Sequence, residues 1–149
     1  MSYSLAVKTP LGSMTLTADD AAITAARFGA LAPNVPSPLL RSAAAQLAEY
    51  FEGARRSFEL PLAPQGTDFQ LRVWNALLDI PFGETRTYGE IARAVGSPLA
   101  YRAVGMANNR NPIAVFIPCH RVIGADGSMV GYGGGLDIKV HLLKLEGYL

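Results

Sequence analysis

The sequence is poor in cysteine, in histidine and in long apolar runs, and each shortage excludes a class of protein. Its 149 residues hold one cysteine, Cys119, so an intrachain disulfide cannot form, which suits a reducing cytosol. One cysteine and two scattered histidines do not supply the usual ligands of a zinc site. No stretch approaches the ~18 apolar residues of a membrane helix, and the N-terminus lacks the pattern of a secretion signal. We therefore expect a cytoplasmic protein with no metal, no cofactor and no membrane partner.

The charge that is present is unevenly distributed. With 50% hydrophobic and 17% charged residues the composition is that of a globular chain, and the formal net charge is only +1. Residues 86–121, however, hold five arginines and one glutamate, which concentrates basic charge around the cysteine. A local basic patch is typical of proteins with an anionic partner, although a plain solvated surface explains these charges equally well.

The first half of the chain predicts a small antiparallel sheet followed by a helix. Residues 3–8 and 13–17 favour strands joined by a proline–glycine turn, and residues 22–28 favour a third strand. Residues 39–51 then repeat apolar side chains at helical spacing until a glycine ends the pattern. We expect this helix to lie on the sheet.

A linker divides the chain. Residues 60–66 contain two prolines and a glycine, which break regular structure. We therefore predict an N-terminal α/β domain with its linker at residues 1–64 and a second domain at residues 65–149. The fold class expected is α/β in the α+β sense, with a small antiparallel sheet and a helix followed by a mostly helical domain.

The second domain begins with an amphipathic helix and continues with two short helices. Thr67 is a candidate N-cap for the first, and Trp74 on that helix is expected in the core. Residues 87–95 and 99–108 predict two more helices separated by a turn at residues 96–98. This pattern is typical of a helix-turn-helix, whose second helix commonly lies in a DNA groove, although many plain helical hairpins share it.

Cys119 lies between an apolar run and a histidine. Residues 113–117 predict a buried strand, and His120 follows the cysteine directly. A thiolate is the reactive form of cysteine, and a neighbouring histidine is one means of raising its fraction. A lone cysteine is also commonly an inert core residue, so this segment alone leaves both interpretations open. A glycine-rich loop at residues 124–135, which suits either a ligand or plain surface, precedes a last helix at 137–146.

In their order and spacing, five motifs resemble the O6-alkylguanine-DNA alkyltransferases, also called methylated-DNA–protein-cysteine methyltransferases. These motifs are FQLRVW (69–74), PFGETRTYGEIA (81–92), YRAVGMANNRNP (101–112), IPCHRV (117–122) and GYGGGL (131–136). The resemblance covers residues 67–149, and the first half is more loosely similar to the family's small α/β domain. It implies a DNA repair protein that flips O6-alkylguanine out of the duplex and transfers the alkyl group irreversibly to Cys119, once per molecule.

The resemblance also implies catalytic roles at matching positions. Cys119 is expected to be the nucleophile, while His120, through a water, and Glu146 form its proton relay. Without the family, Glu146 would be interpreted as an exposed acid at a helix end. Asn111 is expected to hold the helix-turn-helix against the active-site segment, and Arg121 to brace the site.

The expected partner is double-stranded DNA carrying an alkylated guanine, bound through the minor groove by a monomer. Arg102 is expected to replace the extruded base, and Tyr88 to help rotate the nucleotide. The full set of expected DNA contacts is Tyr88, Gly89, Ser97, Arg102, Ala103 and Ala125, and the expected guanine pocket is Val130, Gly131, Tyr132 and Gly133.

Two alternatives belong to other functional classes. An alkyltransferase-like damage sensor keeps the fold but replaces the nucleophile, often by tryptophan, so the presence of Cys119 argues against it. A transcriptional regulator of the adaptive-response type carries an additional metal-binding DNA domain, which 149 residues cannot hold.

Overall fold

The computed structural model describes residues 1–29, 32–129, 131–132 and 135–149, which form two compact units. The first unit contains Met1–Gln65 and Pro112–Phe116, and the second contains Gly66–Asn111 and Ile117–Leu149. The segment Pro112–Phe116 therefore belongs to the first unit, whereas the predicted division into residues 1–64 and 65–149 places it in the second domain.

The first unit is a three-stranded antiparallel sheet with a helix, as predicted. The strands are β1 (Tyr3–Thr9), β2 (Gly12–Ala18) and β3 (Ile23–Phe28), in that spatial order. The helix α1 (Pro38–Phe51) begins one residue before the predicted start, because Ser37 caps it and proline is favoured at the first helical position. Apolar side chains from the sheet and α1 make up the core of this unit: Met14, Leu16, Ile23, Ala26, Leu40, Ala43, Leu47 and Tyr50.

The segment Pro112–Phe116 is buried, but the prediction of a regular strand there was wrong. Its pairing with β3 is an isolated parallel bridge, in which Ala26 N donates to Pro112 O at 2.9 Å and Ala114 N to Ala26 O at 3.0 Å. Val115 then adopts φ of 71°, and Phe116 N turns back to donate to Ala114 O at 2.9 Å. A positive φ is incompatible with extended pairing, so the chain turns here instead of continuing as a strand.

The second unit begins with two helices that share one capping device. These are α2 (Asp68–Leu77) and α3 (Tyr88–Ala94), the latter directly after the two-residue strand β4 (Arg86–Thr87). Thr67 and Gln70 form a reciprocal capping box on α2, and Thr87 and Glu90 form another on α3. The prediction of Thr67 as an N-cap is therefore confirmed.

Helix α4 (Tyr101–Asn109) follows α3 after a turn containing Gly96, whose φ is 80°. It starts two residues later than predicted, which leaves Leu99 in the turn. The indole N–H of the buried Trp74 donates to Ala107 O at 2.8 Å and so ties the end of α4 to α2. Trp74 is thus a core residue, as expected.

The remaining elements carry the cysteine segment. A 3-10 turn, Cys119–Arg121, leads into β5 (Val122–Ile123), which pairs in parallel with β4. Helix α5 (Leu136–Leu145) closes the unit, with Glu146 as its C-cap. In the part of the chain that the structure describes, no helix is long and apolar enough to cross a membrane.

Candidate active site

The 3-10 turn after Pro118 places three consecutive side chains in the interior. Cys119 is 4% exposed, His120 is fully buried and Arg121 is 7% exposed. The turn closes through Arg121 N, which donates to Pro118 O at 3.0 Å. A strand would send alternate side chains to opposite faces, whereas this tight turn directs the cysteine and the two residues after it inward.

His120 and Glu146 form the buried pair that the family resemblance implied. Nε2 of His120 lies 2.6 Å from Oε2 of Glu146, and neither side chain is exposed. The interpretation of Glu146 as an exposed acid is therefore wrong, because this last-helix residue turns its carboxylate into the core. The Nδ1 atom of His120 is buried and has no hydrogen-bond partner among the described residues.

Arg121 balances the charge of that carboxylate. Its Nε donates to Oε1 of Glu146 at 2.7 Å and its Nη2 to Oε2 at 2.9 Å, in the bidentate arrangement typical of strong arginine–carboxylate pairs. Its Nη1 donates to Ile80 O at 2.7 Å. The bracing role predicted for Arg121 thus has a specific form, since it holds Glu146 ionised and oriented toward His120.

The electrostatics of the pair leave the histidine neutral. Burial lowers the pKa of His120, an effect that the hydrogen bond which His120 donates to Glu146 opposes. An ionised carboxylate only accepts hydrogen bonds, so the proton of the neutral ring resides on Nε2. Nδ1 therefore presents a lone pair, which is the state a general base requires.

Burial holds the Cys119 thiol in its protonated form. It raises the pKa of the thiol to about 11, while the Asn111 amide and the Lys139 ammonium act in the opposite direction. At neutral pH the thiol is therefore inert by itself, and its reactivity depends on a base and on nearby positive charge.

Two asparagines tie the end of α4 to the cysteine segment. The Nδ2 of Asn111 donates to Ile117 O at 2.8 Å, which brings together the two parts that this residue was expected to join. The sequence analysis missed Asn108, whose Nδ2 donates to the carbonyl of Cys119 itself at 3.2 Å. Asn108 is 1% exposed, and its Oδ1 has no hydrogen-bond partner among the described residues.

The sequence analysis also missed Lys139, which is fully buried on α5. Its Nζ donates to Val122 O at 2.5 Å and to Gly131 O at 3.4 Å. Burial lowers the pKa of this ammonium to about 8, and the charge of the Cys119 thiolate acts against that shift. Lys139 and Glu146 lie seven residues apart, in line with the apolar stripe of α5. Two charged residues on such a stripe are the sequence signal from which a buried polar site could have been predicted.

Tyr88 and Gly131 meet at the predicted pocket. The hydroxyl of Tyr88 donates to Gly131 O at 3.4 Å, so this carbonyl accepts from both Tyr88 and Lys139. Gly131 has φ of 73°, and a Cβ there would lie 2.8 Å from the tyrosine hydroxyl. Only glycine suits this position.

Tyr132 lies close to the nucleophile, whereas two other residues of the predicted pocket lie outside the described ones. Burial raises the pKa of Tyr132, and the neighbouring Cys119 raises it further. The pKa of Tyr88 is also raised, mainly by burial and to a smaller extent by the nearby Cys119. Val130 and Gly133, which were also predicted for the pocket, lie outside the described residues.

The predicted DNA contacts occupy exposed or half-buried positions. Gly89 lies in the first turn of α3, Ser97 in the turn before α4, and Ala125 in an exposed turn after β5. Arg102 and Ala103 are exposed on α4. Their contact with DNA remains a prediction.

Two family models match almost the whole chain. The model described as 6-O-methylguanine DNA methyltransferase, DNA binding domain, matches residues 68–148, and that described as 6-O-methylguanine DNA methyltransferase, ribonuclease-like domain, matches residues 1–64. The chain belongs to the 6-O-methylguanine DNA methyltransferase family.

Relatives within this family resemble the chain over most of its length. The methylated-DNA–protein-cysteine methyltransferase of Methanosarcina acetivorans is 52% identical over 97% of this chain and 98% of its own. The crystal structure of the Mycobacterium tuberculosis O6-methylguanine methyltransferase has a TM-score of 0.89 at 47% identity, covering 98% of this chain and 93% of that chain. That of Mycobacterium tuberculosis OGT in complex with DNA has a TM-score of 0.88 at 48% identity, covering 95% and 90%.

Proposed function

We propose that this chain is a DNA repair methyltransferase that transfers the alkyl group of O6-alkylguanine to its own Cys119. The observation that carries the proposal is the arrangement behind the thiol, where His120 is neutral, bonded through Nε2 to Glu146, and has no hydrogen-bond partner for Nδ1 among the described residues. A residue that only filled core space would not need a buried, charge-balanced histidine beside it. Family membership supplies the substrate class.

The transfer is a displacement at carbon. Sγ of Cys119 attacks the alkyl carbon, the S–C bond forms, and the bond from that carbon to guanine O6 breaks. The thiol proton passes to Nδ1 of His120, through a bridging water, and Glu146 stabilises the imidazolium. Guanine leaves with the electron pair of the broken C–O bond and takes up a proton, which the imidazolium gives up through solvent, so His120, the thioether and guanine all end neutral.

Each molecule acts once under this proposal. A thioether has no ionisable proton, and the chain has no second cysteine to attack it. The protein is therefore consumed in proportion to the lesions it repairs.

The DNA side of the proposal assigns α3 and α4 to a helix-turn-helix that binds the minor groove of duplex DNA as a monomer. The target atom lies within the base stack, so the nucleotide must rotate out at a cost of about a few kcal/mol. Arg102, exposed on α4, is proposed to fill the space that the base leaves, and Tyr88 to assist the rotation. Gly89, Ser97, Ala103 and Ala125 are proposed to approach the DNA backbone.

A damage sensor that binds the lesion without transfer is the alternative. Such a sensor binds the lesion without a chemical step, so it needs neither a reactive cysteine nor a base beside one. The neutral histidine next to Cys119 therefore favours transfer.

Mass spectrometry of the intact protein tests the proposal. After incubation with a duplex containing O6-methylguanine, Cys119 is expected to carry one methyl group, and the Cys119→Ala variant none. Turnover beyond one methyl per chain contradicts the mechanism. So does an unmodified Cys119 in a protein that still binds the duplex, which is the result expected of a damage sensor.

A further inference from the structure

Helix α4 has one face in the core and one face in solvent. Val104, Ala107 and Asn108 are its buried residues. The opposite side exposes Arg102, Ala103, Met106, Asn109 and Arg110. Neither α4 nor the turn before it, residues 95–100, contains an aspartate or glutamate, so the charge of this face is purely positive.

Two large apolar side chains stand on this cationic face. Leu99 is 91% exposed in the turn that leads into α4, and Met106 is 61% exposed on the helix. Met106 follows Arg102 by four residues, so the two lie on the same side about 6 Å apart along the axis. Leu99 precedes Arg102 by three residues, in the turn, so an exposed apolar side chain flanks the arginine on each side along the chain. Exposed apolar groups clustered in this way commonly mark an interaction surface.

The chemistry of this face selects its partner. The phosphates on both sides of a DNA groove attract Arg102 and Arg110, while the deoxyribose walls and the base edges between them offer apolar surface. Proteins that bind the minor groove often insert leucine or methionine between base steps and thereby kink the duplex. An axial separation of about 6 Å corresponds to roughly two base-pair steps of 3.4 Å.

We propose that Leu99 and Met106 form an apolar wedge that enters the minor groove of duplex DNA on the two sides of Arg102. This inference rests on the proposed function, since it assumes that the Arg102 face meets DNA. Arg102 fills the space of the extruded nucleotide, and the wedge holds the neighbouring steps apart. The exposed apolar surface of both residues is then covered only in the complex.

The salt dependence of DNA affinity distinguishes the contribution of the wedge from that of the arginines. A phosphate contact releases counterions, so each one adds about one unit to the slope of log affinity against log salt. An apolar contact releases none, so its contribution persists at high salt. The affinity of the native protein for an unmodified duplex, measured by fluorescence anisotropy over a salt series, therefore resolves the two.

The Leu99→Ala/Met106→Ala double variant is expected to bind this duplex about tenfold more weakly at every salt concentration, with an unchanged slope. Arg110→Ala is expected to lower the slope by about one. Leu71→Ala and Leu78→Ala are matched controls, because these leucines are 38% and 46% exposed on or beside α2, and both should bind like the native protein. Met106→Leu, which keeps an apolar side chain, should retain affinity.

Transfer rates complete the test. The double variant should repair the O6-methylguanine duplex more slowly and react with free O6-benzylguanine at the native rate. A double variant that binds and repairs duplex DNA as the controls do overturns the wedge and assigns this face to another partner. Failure of the proposed function has a different signature, because Cys119 would then take up no alkyl group from either substrate, whatever the affinities.

Discussion

The imidazole of His120 and the carboxylate of Glu146 meet at 2.6 Å in a fully buried contact, although 26 residues separate them in the chain. Arg121 neutralises the carboxylate from its other side, at 2.7 Å. Glu146 therefore has two functions at once. It orients the histidine next to Cys119, which is the base in the proposed transfer, and it is the counter-ion that makes burial of Arg121 tolerable.

Replacing Glu146 by glutamine should separate those two functions. A neutral amide no longer fixes the Nε2–H tautomer of His120, so alkyl transfer should slow by about 10²-fold or more. The same change leaves Arg121 without its counter-charge and should lower the free energy of unfolding by about 3–5 kcal/mol. Single-turnover kinetics and urea unfolding measure the two effects.

His120→Ala is the matched comparison, since it removes the base and keeps the Arg121–Glu146 ion pair. It should slow transfer at least as much as Glu146→Gln does. Its free energy of unfolding should fall less, because the Arg121–Glu146 charge pair remains intact. Equal stability of Glu146→Gln and the native protein would contradict the counter-ion function.

Lys139 should make stability depend on pH in a defined window. Its pKa is about 8 in the folded protein against 10.5 as the ordinary value, so between these values the unfolded chain binds more protons and stability rises with pH. Cys119 acts with the opposite sign, since its pKa rises from 9.0 to about 11 and stability falls as pH increases between them. In Lys139→Met only the second effect remains.

The unfolding free energy of the native protein minus that of Lys139→Met should therefore increase from about pH 8 to about pH 10.5. Losing the ammonium should also raise the thiol pKa further and slow the reaction with free O6-benzylguanine. Urea unfolding across the window and thiolate absorbance check both results. Parallel stability curves would show that Lys139 carries no buried charge.

Asn108→Ala should loosen the nucleophile itself. The substitution removes one of the two donors to the Cys119 carbonyl, which keeps the backbone N–H of Val122, at a cost of about 0.5–1.5 kcal/mol in unfolding free energy. Because the contact holds the backbone of Cys119, reaction with free O6-benzylguanine should slow as well. Asn75→Ala, at an exposed position on α2, is the control and should change neither quantity.

Gly131→Ala should damage the pocket by contact as well as by backbone strain. An alanine at φ of 73° is strained by about 1–3 kcal/mol, and its Cβ would lie 2.8 Å from the Tyr88 hydroxyl. Gly127→Ala carries the same kind of strain at φ of 83° with no atom within 4 Å of the added Cβ, so it isolates the backbone effect.

The Gly131 variant should accordingly lose more stability and more affinity for O6-benzylguanine than the Gly127 variant. Adding Tyr88→Phe to Gly131→Ala should recover part of the difference by removing the atom that clashes. Equal effects of the two glycine substitutions, with no recovery, would be inconsistent with a Tyr88–Gly131 contact.

Local signals predicted the first unit and the helices well. Alternation, turn residues and helical spacing anticipated β1 to β3 and α1, and Thr67 was identified as a cap because capping depends on residues three positions apart. The prediction of a strand at residues 113–117 was wrong. The apolar run there indicates burial correctly, but burial alone does not distinguish a strand from a turn that Val115 takes at positive φ.

Polar core residues were harder to predict from the sequence. Lys139 and Asn108 belong to amphipathic helices, where a polar residue on the inner face is ordinarily a disruption of the pattern. Their partners, Val122 O and Cys119 O, lie 17 and 11 residues away, and periodicity within one helix carries no information about them.

The sequence by itself determined the order of the elements, the identity of the nucleophile and the histidine beside it, because these depend on short-range pattern. Only the tertiary structure decided the protonation state of that pair. Burial raises the thiol pKa to about 11 and keeps the imidazole neutral, and the groups that oppose burial are Asn111, after the end of α4, and Lys139 and Glu146, on α5 and at its end. Reactivity of Cys119 is therefore a property of the folded interior, since desolvation and charge act through space.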